Sequence, residues 1–166
     1  MRLHTARLLF LLFATTLALM ADWRVHIDKK PSQITGMRNA TALVPAKGLN
    51  TADLILGCVD GKPILRVQDR FRGMKLTPVN GGYLTHVKMR PSANTNYIEA
   101  DVQGSYSDAA AFVILDAQLG EVLPAMKTGE FLFVQLPYDR KDEVIRFPMA
   151  GLNGALAKMA DAGCHP

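Results

Sequence analysis

Few residue types in this chain are spaced to do covalent chemistry. Its four histidines include His26, His86 and His165 beyond the first 21 residues, and none stands beside an acid or a cysteine at a triad or metal-ligand spacing. Ser32, Ser92, Ser105 and Ser107 would need folding to bring a histidine to them, because triads assemble across space. The glutamates, Glu99, Glu121, Glu130 and Glu143, are scattered, and sequence cannot show the separation that glycoside hydrolysis would require. No His-Glu-x-x-His, Gly-x-Ser-x-Gly, phosphate loop or dinucleotide fingerprint occurs. The chain is therefore read as non-enzymatic, with no catalytic residue, no metal ligand and no cofactor assigned.

Cys58 and Cys164 are the only cysteines. An even count in a chain expected to reach an oxidising compartment predicts one intramolecular disulfide between them. A thiol nucleophile is disfavoured, since Cys58 lies in the apolar run Leu54 to Val59 and Cys164 follows the helix-ending Gly163.

Charge follows strand parity more clearly than chemistry does. If 64–72 is extended, Arg66, Gln68, Arg70 and Arg72 share one face, with Leu65, Val67 and Phe71 on the other. Over 83–90, His86, Lys88 and Arg90 oppose Thr85, Val87 and Met89. Arg66, Arg70, Arg72, Lys88 and Arg90 are therefore the candidate binding residues, for phosphates, an anionic glycan or an acidic protein. The same pattern also suits a solvated face whose arginines cover apolar area and deter edge association.

The elements that must position these rows are mostly strands. Alternation or apolar runs predict strands over 23–28, 40–44, 54–59 and 64–71, the last two joined through the Asp60-Gly61-Lys62-Pro63 turn. A second hairpin, 74–79 with 83–89, turns at Asn80-Gly81-Gly82, and strands over 97–103 and 111–115 flank a loop at Gly104 to Asp108. Asp116 is a possible cap for a short helix containing Leu119, Val122, Leu123 and Met126, which Pro124 keeps short. Strands over 131–136 and 143–147 form a last hairpin, and Leu152, Ala155, Leu156 and Met159 mark a C-terminal helix. The predicted class is mainly β, an antiparallel sandwich or barrel with a short helix, a C-terminal helix and one disulfide.

Length and composition agree with one domain: 166 residues, 49% hydrophobic and 20% charged. Arg2, His4 and Arg7 precede the apolar run Leu8 to Met20, the pattern of a secretory signal peptide over 1–21, leaving a single β-rich domain over 22–166. The run is shorter than the roughly 20 residues that span a bilayer, so no integral membrane segment is expected after cleavage. Without Arg2 and Arg7 the chain holds 17 basic and 15 acidic residues, a net of +2, too little excess to indicate nucleic-acid binding. The expected location is periplasmic or secreted.

Several short motifs together resemble a known group. They are an early Trp23, an apolar strand running into Cys-x-x-Gly (Leu54 to Gly61), the strand Val87-Lys88-Met89-Arg90 and a Ser/Asp loop before an Ala-Phe strand (Ser105 to Phe112). The closing segment is Phe147-Pro148-Met149-Ala150-Gly151, followed by Gly154-Ala155-Leu156 and Cys164. This arrangement resembles the exported bacterial TagO/VasI-like type VI secretion-associated family and is similar in layout to invasion-associated locus B proteins. Tyr106 stands where a second Trp would be expected. The resemblance implies an exported, disulfide-containing, β-rich accessory protein without catalytic residues.

The leading expectation is thus a periplasmic accessory or binding protein of the cell envelope or a secretion system, its partner an envelope protein or anionic envelope component. The alternative is a secreted inhibitor of a cell-wall hydrolase such as lysozyme, using the Gly104 to Asp108 loop. Asp101 and Asp108 are few acids for a basic enzyme. A hydrolase would instead need a cleft with a histidine close to a serine or carboxylate.

Overall fold

The computed structural model describes residues 23–48, 51–70, 73–107, 110–138 and 141–166. The expected leader over 1–21 lies outside them. Ten strands form: β1 (Arg24–Ile27), β2 (Ala40–Pro45), β3 (Ala52–Val59), β4 (Lys62–Asp69), β5 (Thr77–Val79), β6 (Gly82–Arg90), β7 (Ile98–Tyr106), β8 (Ala111–Ile114), β9 (Phe131–Pro137) and β10 (Asp142–Pro148). Two helices join them, α1 (Leu119–Met126) and α2 (Leu152–Ala160). The class is mainly β and antiparallel, as the alternating patterns predict.

All ten strands belong to one sheet, ordered β1-β2-β3-β4-β8-β7-β6-β9-β10, with β5 added to β6. The sheet curls until its far side returns to β2, where the Lys47 N–H donates to the Arg146 carbonyl at 2.9 Å. Curling turns one face inward, and strict alternation decides which residues go there. In β2 and β9 every second residue is buried. Leu54, Leu56, Leu65, Val67, Val87, Met89, Val134, Leu136 and Phe147 fill the interior. Trp23, expected as the first residue of a strand over 23–28, lies just ahead of β1 and joins this core.

The β3–β4 connection is tighter than the four-residue turn read from sequence. Asp60 and Gly61 alone make it, both with positive φ (50° and 74°), while Lys62 and Pro63 pair with Val59 and Cys58 as strand. Two positive φ values are the backbone demand that favours Asp-Gly in two-residue hairpins.

Three further expectations need correction. The segment at Gly104 to Tyr106 is strand, not loop: Gly104 pairs with Val113, Ser105 with Phe112 and Tyr106 with Ala111. Polar composition hid this: Gly104 is buried, Ser105 half-buried and Tyr106 exposed, so the segment carries no apolar alternation to mark it as strand. The strand predicted from Met74 is shorter, since Leu76 dives beneath Gly104 and the Lys75 N–H donates to the Pro137 carbonyl at 2.6 Å. Met74 instead forms an isolated bridge with Tyr138. Asp116 opens a short 3-10 turn but makes no side-chain cap; its carboxylate is committed to β4.

Cys58 on β3 and Cys164 after α2 form the predicted disulfide, with Cα atoms 5.6 Å apart. α2 packs on β1 and β2 through an apolar stripe that includes Leu152, Ala155 and Met159. The bond fastens this helix's end to the sheet. Among the described residues, no helix is long and apolar enough to cross a membrane.

Candidate binding face

The two basic rows do lie on the outward face, as parity predicts, but β8 and β7 separate them. On β4, Arg66 donates from Nη2 to Asp116 Oδ2 at 3.0 Å, and Asp116 Oδ1 also accepts the Leu65 N–H at 2.8 Å. Arg70 Nη2 reaches Asp53 Oδ2 on β3 at 2.8 Å. Arg72 falls outside the described residues.

The β6 row is also largely neutralised. Lys88 Nζ meets Glu99 at 2.7 Å, and His86 lies between Asp101 (2.9 Å) and Glu99 (3.5 Å) on β7. The hydrogen bond to Asp101 is the main reason that the His86 pKa rises above its ordinary value. Glu99 is held below its own, chiefly by its hydrogen bond from Lys88. Arg66, Arg70 and Lys88 thus each already hold a carboxylate partner, which weakens their pull on a further anion.

Arg90 differs. Among the described residues no carboxylate pairs with it; Nη1 donates to the Ala93 carbonyl at 2.9 Å. Its guanidinium lies 4.8 Å from the Tyr97 ring centroid and 5.2 Å from that of Phe133. Phe133 sits on β9 directly opposite both Arg90 on β6 and Arg146 on β10. Its ring is 6.0 Å from Phe131, over which lie Arg146 (5.6 Å) and Lys47 (5.4 Å). Neither Arg146 nor Lys47 is paired with a carboxylate among the described residues.

Lys47, Arg90 and Arg146 thus form a ledge with Tyr97, Phe131 and Phe133 where β6, β9, β10 and the end of β2 meet. An aromatic ring engages the flat side of a guanidinium without using its in-plane N–H groups; on Arg90, Nε is buried and Nη1 serves Ala93, so Nη2 is the group left for an oxygen anion. Sequence parity identified Arg90 but missed the other five residues. Phe131 and Phe133 share a parity opposite Leu132, Val134 and Leu136, a local signal that was available. Their meeting with Arg90 depends on the non-local β6–β9 pairing, which no local pattern encodes.

No family model, curated protein or solved structure matches this chain. The TagO/VasI-like resemblance accordingly remains one of short motifs. The remaining sequence candidates are placed as follows. His26 Nε2 lies 3.2 Å from Asp28, and Ser32 donates to Asp60 at 2.6 Å. Of the candidate inhibitory loop Gly104 to Asp108, Asp108 lies outside the described residues; Gly104 is buried, and the Tyr106 hydroxyl donates to the Met74 carbonyl at 2.7 Å. A cluster of unpaired cations disfavours a metal ion and suits anions.

Proposed function

We propose that this protein is a non-enzymatic binding protein of the cell envelope or a secretion system, acting in the periplasm or outside the cell. Its ledge engages an anionic envelope component. The observation that carries this reading is the division of the outer face: Arg66, Arg70 and Lys88 face carboxylates, whereas Lys47, Arg90 and Arg146 face aromatic rings. Ring contacts restrict these long side chains before a ligand arrives, which lowers the entropic cost of binding. Electrostatic attraction over a solvated sheet also requires that affinity fall as salt rises.

Purified lipopolysaccharide is a direct probe, because it presents clustered phosphates. Arg90→Ala combined with Arg146→Ala should weaken co-sedimentation by about tenfold or more, since each lost charge-assisted contact is worth on the order of 1 kcal/mol. Arg66→Ala combined with Lys88→Ala should change it little. Equal binding by wild type and the Arg90/Arg146 variant, or binding indifferent to salt, would remove the ledge from the proposal.

A further inference from the structure

The outer face also holds a recess at its other end, over β1 to β4. Arg24, Leu43, Pro45, Asp53, Gln68 and Arg70 border a cleft of about 470 Å³, large enough for a small ligand. Strand register brings them together: Arg24 lies opposite Leu43, Pro45 opposite Asp53, and Asp53 opposite Gln68.

The charges are unequal. The Asp53 side chain is only 7% exposed and takes its ion pair from Arg70 through Oδ2, while Arg70 itself is 54% exposed. So deeply buried a carboxylate needs hydrogen-bond donors, and Oδ1 retains acceptor capacity beyond that pair. Arg24 is exposed and, among the described residues, forms no ion pair. Two guanidiniums against one carboxylate leave the cleft with one net positive charge. Leu43 and Pro45, each half-buried, add apolar surface, and Gln68 can both donate and accept.

We propose that this cleft binds an anionic sugar, a hexose ring carrying one carboxylate. The carboxylate answers the excess charge of Arg24 and Arg70. Ring hydroxyls donate to Asp53 and exchange hydrogen bonds with Gln68, and the C–H face of the ring lies on Leu43 and Pro45. A neutral sugar leaves the excess charge unanswered. A zwitterion brings a second cation to a carboxylate that Arg70 already neutralises, and a wholly apolar ligand would desolvate that ion pair without replacing its water. The cleft stands on its own residues and does not depend on the ledge. It is nevertheless close along the chain, because Lys47 follows Pro45 by two residues and bonds to Arg146 across the closing seam.

Glucuronate is the probe, with glucose as its neutral counterpart, titrated into the oxidised protein and followed through backbone amide resonances. Saturable shifts are expected at Arg24, Leu43 and Asp53, with glucose binding at least about tenfold more weakly. Arg24→Ala and Gln68→Ala, both at outward-facing positions, should each weaken glucuronate several-fold without moving the melting temperature. Arg146→Ala should leave it unchanged. The proposal is overturned if no shift saturates, if glucose binds as tightly as glucuronate, or if Arg24→Ala binds like wild type. Loss of binding in Arg146→Ala with retention in Arg24→Ala would place the sugar on the ledge and equally overturn the cleft, while leaving the lipopolysaccharide result to judge the ledge separately.

Discussion

Individual side chains on this sheet differ less in type than in what they face. His86, Lys88, Glu99 and Asp101 form one exposed network across β6 and β7, with separations from 2.7 to 3.5 Å. Because Asp101 raises the folded-state pKa of His86 above 6.5, protonated His86 favours the folded state. That contribution is fully present below the unfolded value and is lost as pH rises through the folded one. Glu99 behaves oppositely: its pKa is lowered from 4.5, so its contribution is present above that value and is lost as pH falls through the folded one. The network is consequently most favourable between the two ordinary values. In an NMR titration the His86 ring should show a midpoint above 6.5, and Asp101→Asn should shift it downward. An unchanged midpoint in that variant would mean that Asp101 does not govern the imidazole. Asp69 and Tyr138 show the buried counterpart. The Tyr138 hydroxyl donates to Asp69, and burial, then this contact, pushes the phenol pKa far above its usual range. Tyr138 therefore remains a donor at every physiological pH, tying the ends of β4 and β9 together.

At the scale of elements, what is legible in the sequence is what is local. Leu65 and Val67 against Arg66 and Gln68 reveal the two faces of β4, and Asp60-Gly61 reveals its turn, because side-chain alternation and turn chemistry are short-range. Neighbours of strands are not legible in this way. The pairing of β4 with β8 and of β6 with β9 joins segments far apart in sequence, and so determines that Arg66 meets Asp116 while Arg90 meets Phe133. Asp116 also shows why a cap signal is weak alone: a carboxylate at a helix entrance can equally serve a strand N–H and a guanidinium. Close approach between strands is similarly invisible. A Cβ on Gly57 of β3 would lie 2.1 Å from the Ala40 carbonyl oxygen and 2.7 Å from the Thr41 Cα, both backbone atoms of β2. For a Cβ on Gly104 the nearest atoms would be those of the branched end of Leu76, from 2.7 Å. Backbone cannot swing aside as a leucine can, so Gly57→Ala should destabilise by about 3 kcal/mol or more and Gly104→Ala by about 1–2 kcal/mol. Chemical denaturation of the two variants checks the order, and a reversed order would show that β2 yields more easily than Leu76.

For the molecule as a whole, the disulfide divides the binding surfaces into one that depends on it and one that does not. Cys58 and Cys164 are 106 residues apart, a loop for which chain-entropy arithmetic gives about 4–5 kcal/mol. Small domains have net stabilities of roughly 5–15 kcal/mol, so reduction removes a large fraction. Its effect in the folded state is uneven. The bond secures the end of α2, and α2 covers the inner side of β1 and β2, whose outer side supplies Arg24, Leu43 and Pro45 to the cleft. The ledge rests mainly on β6, β9 and β10, whose mutual pairing involves neither cysteine. β1 is moreover an edge strand of four residues with only β2 beside it, so local opening begins there at least cost. Replacing both cysteines by serine should therefore lower the denaturation midpoint and also raise amide hydrogen exchange in β1 and β2 well before it rises in β6 and β9. Glucuronate affinity should fall with that exchange, while lipopolysaccharide co-sedimentation persists as long as the sheet stays folded. Uniform acceleration across all strands would mean that the staple acts on the unfolded chain alone, with α2 held equally well by the packing of Leu152, Ala155 and Met159.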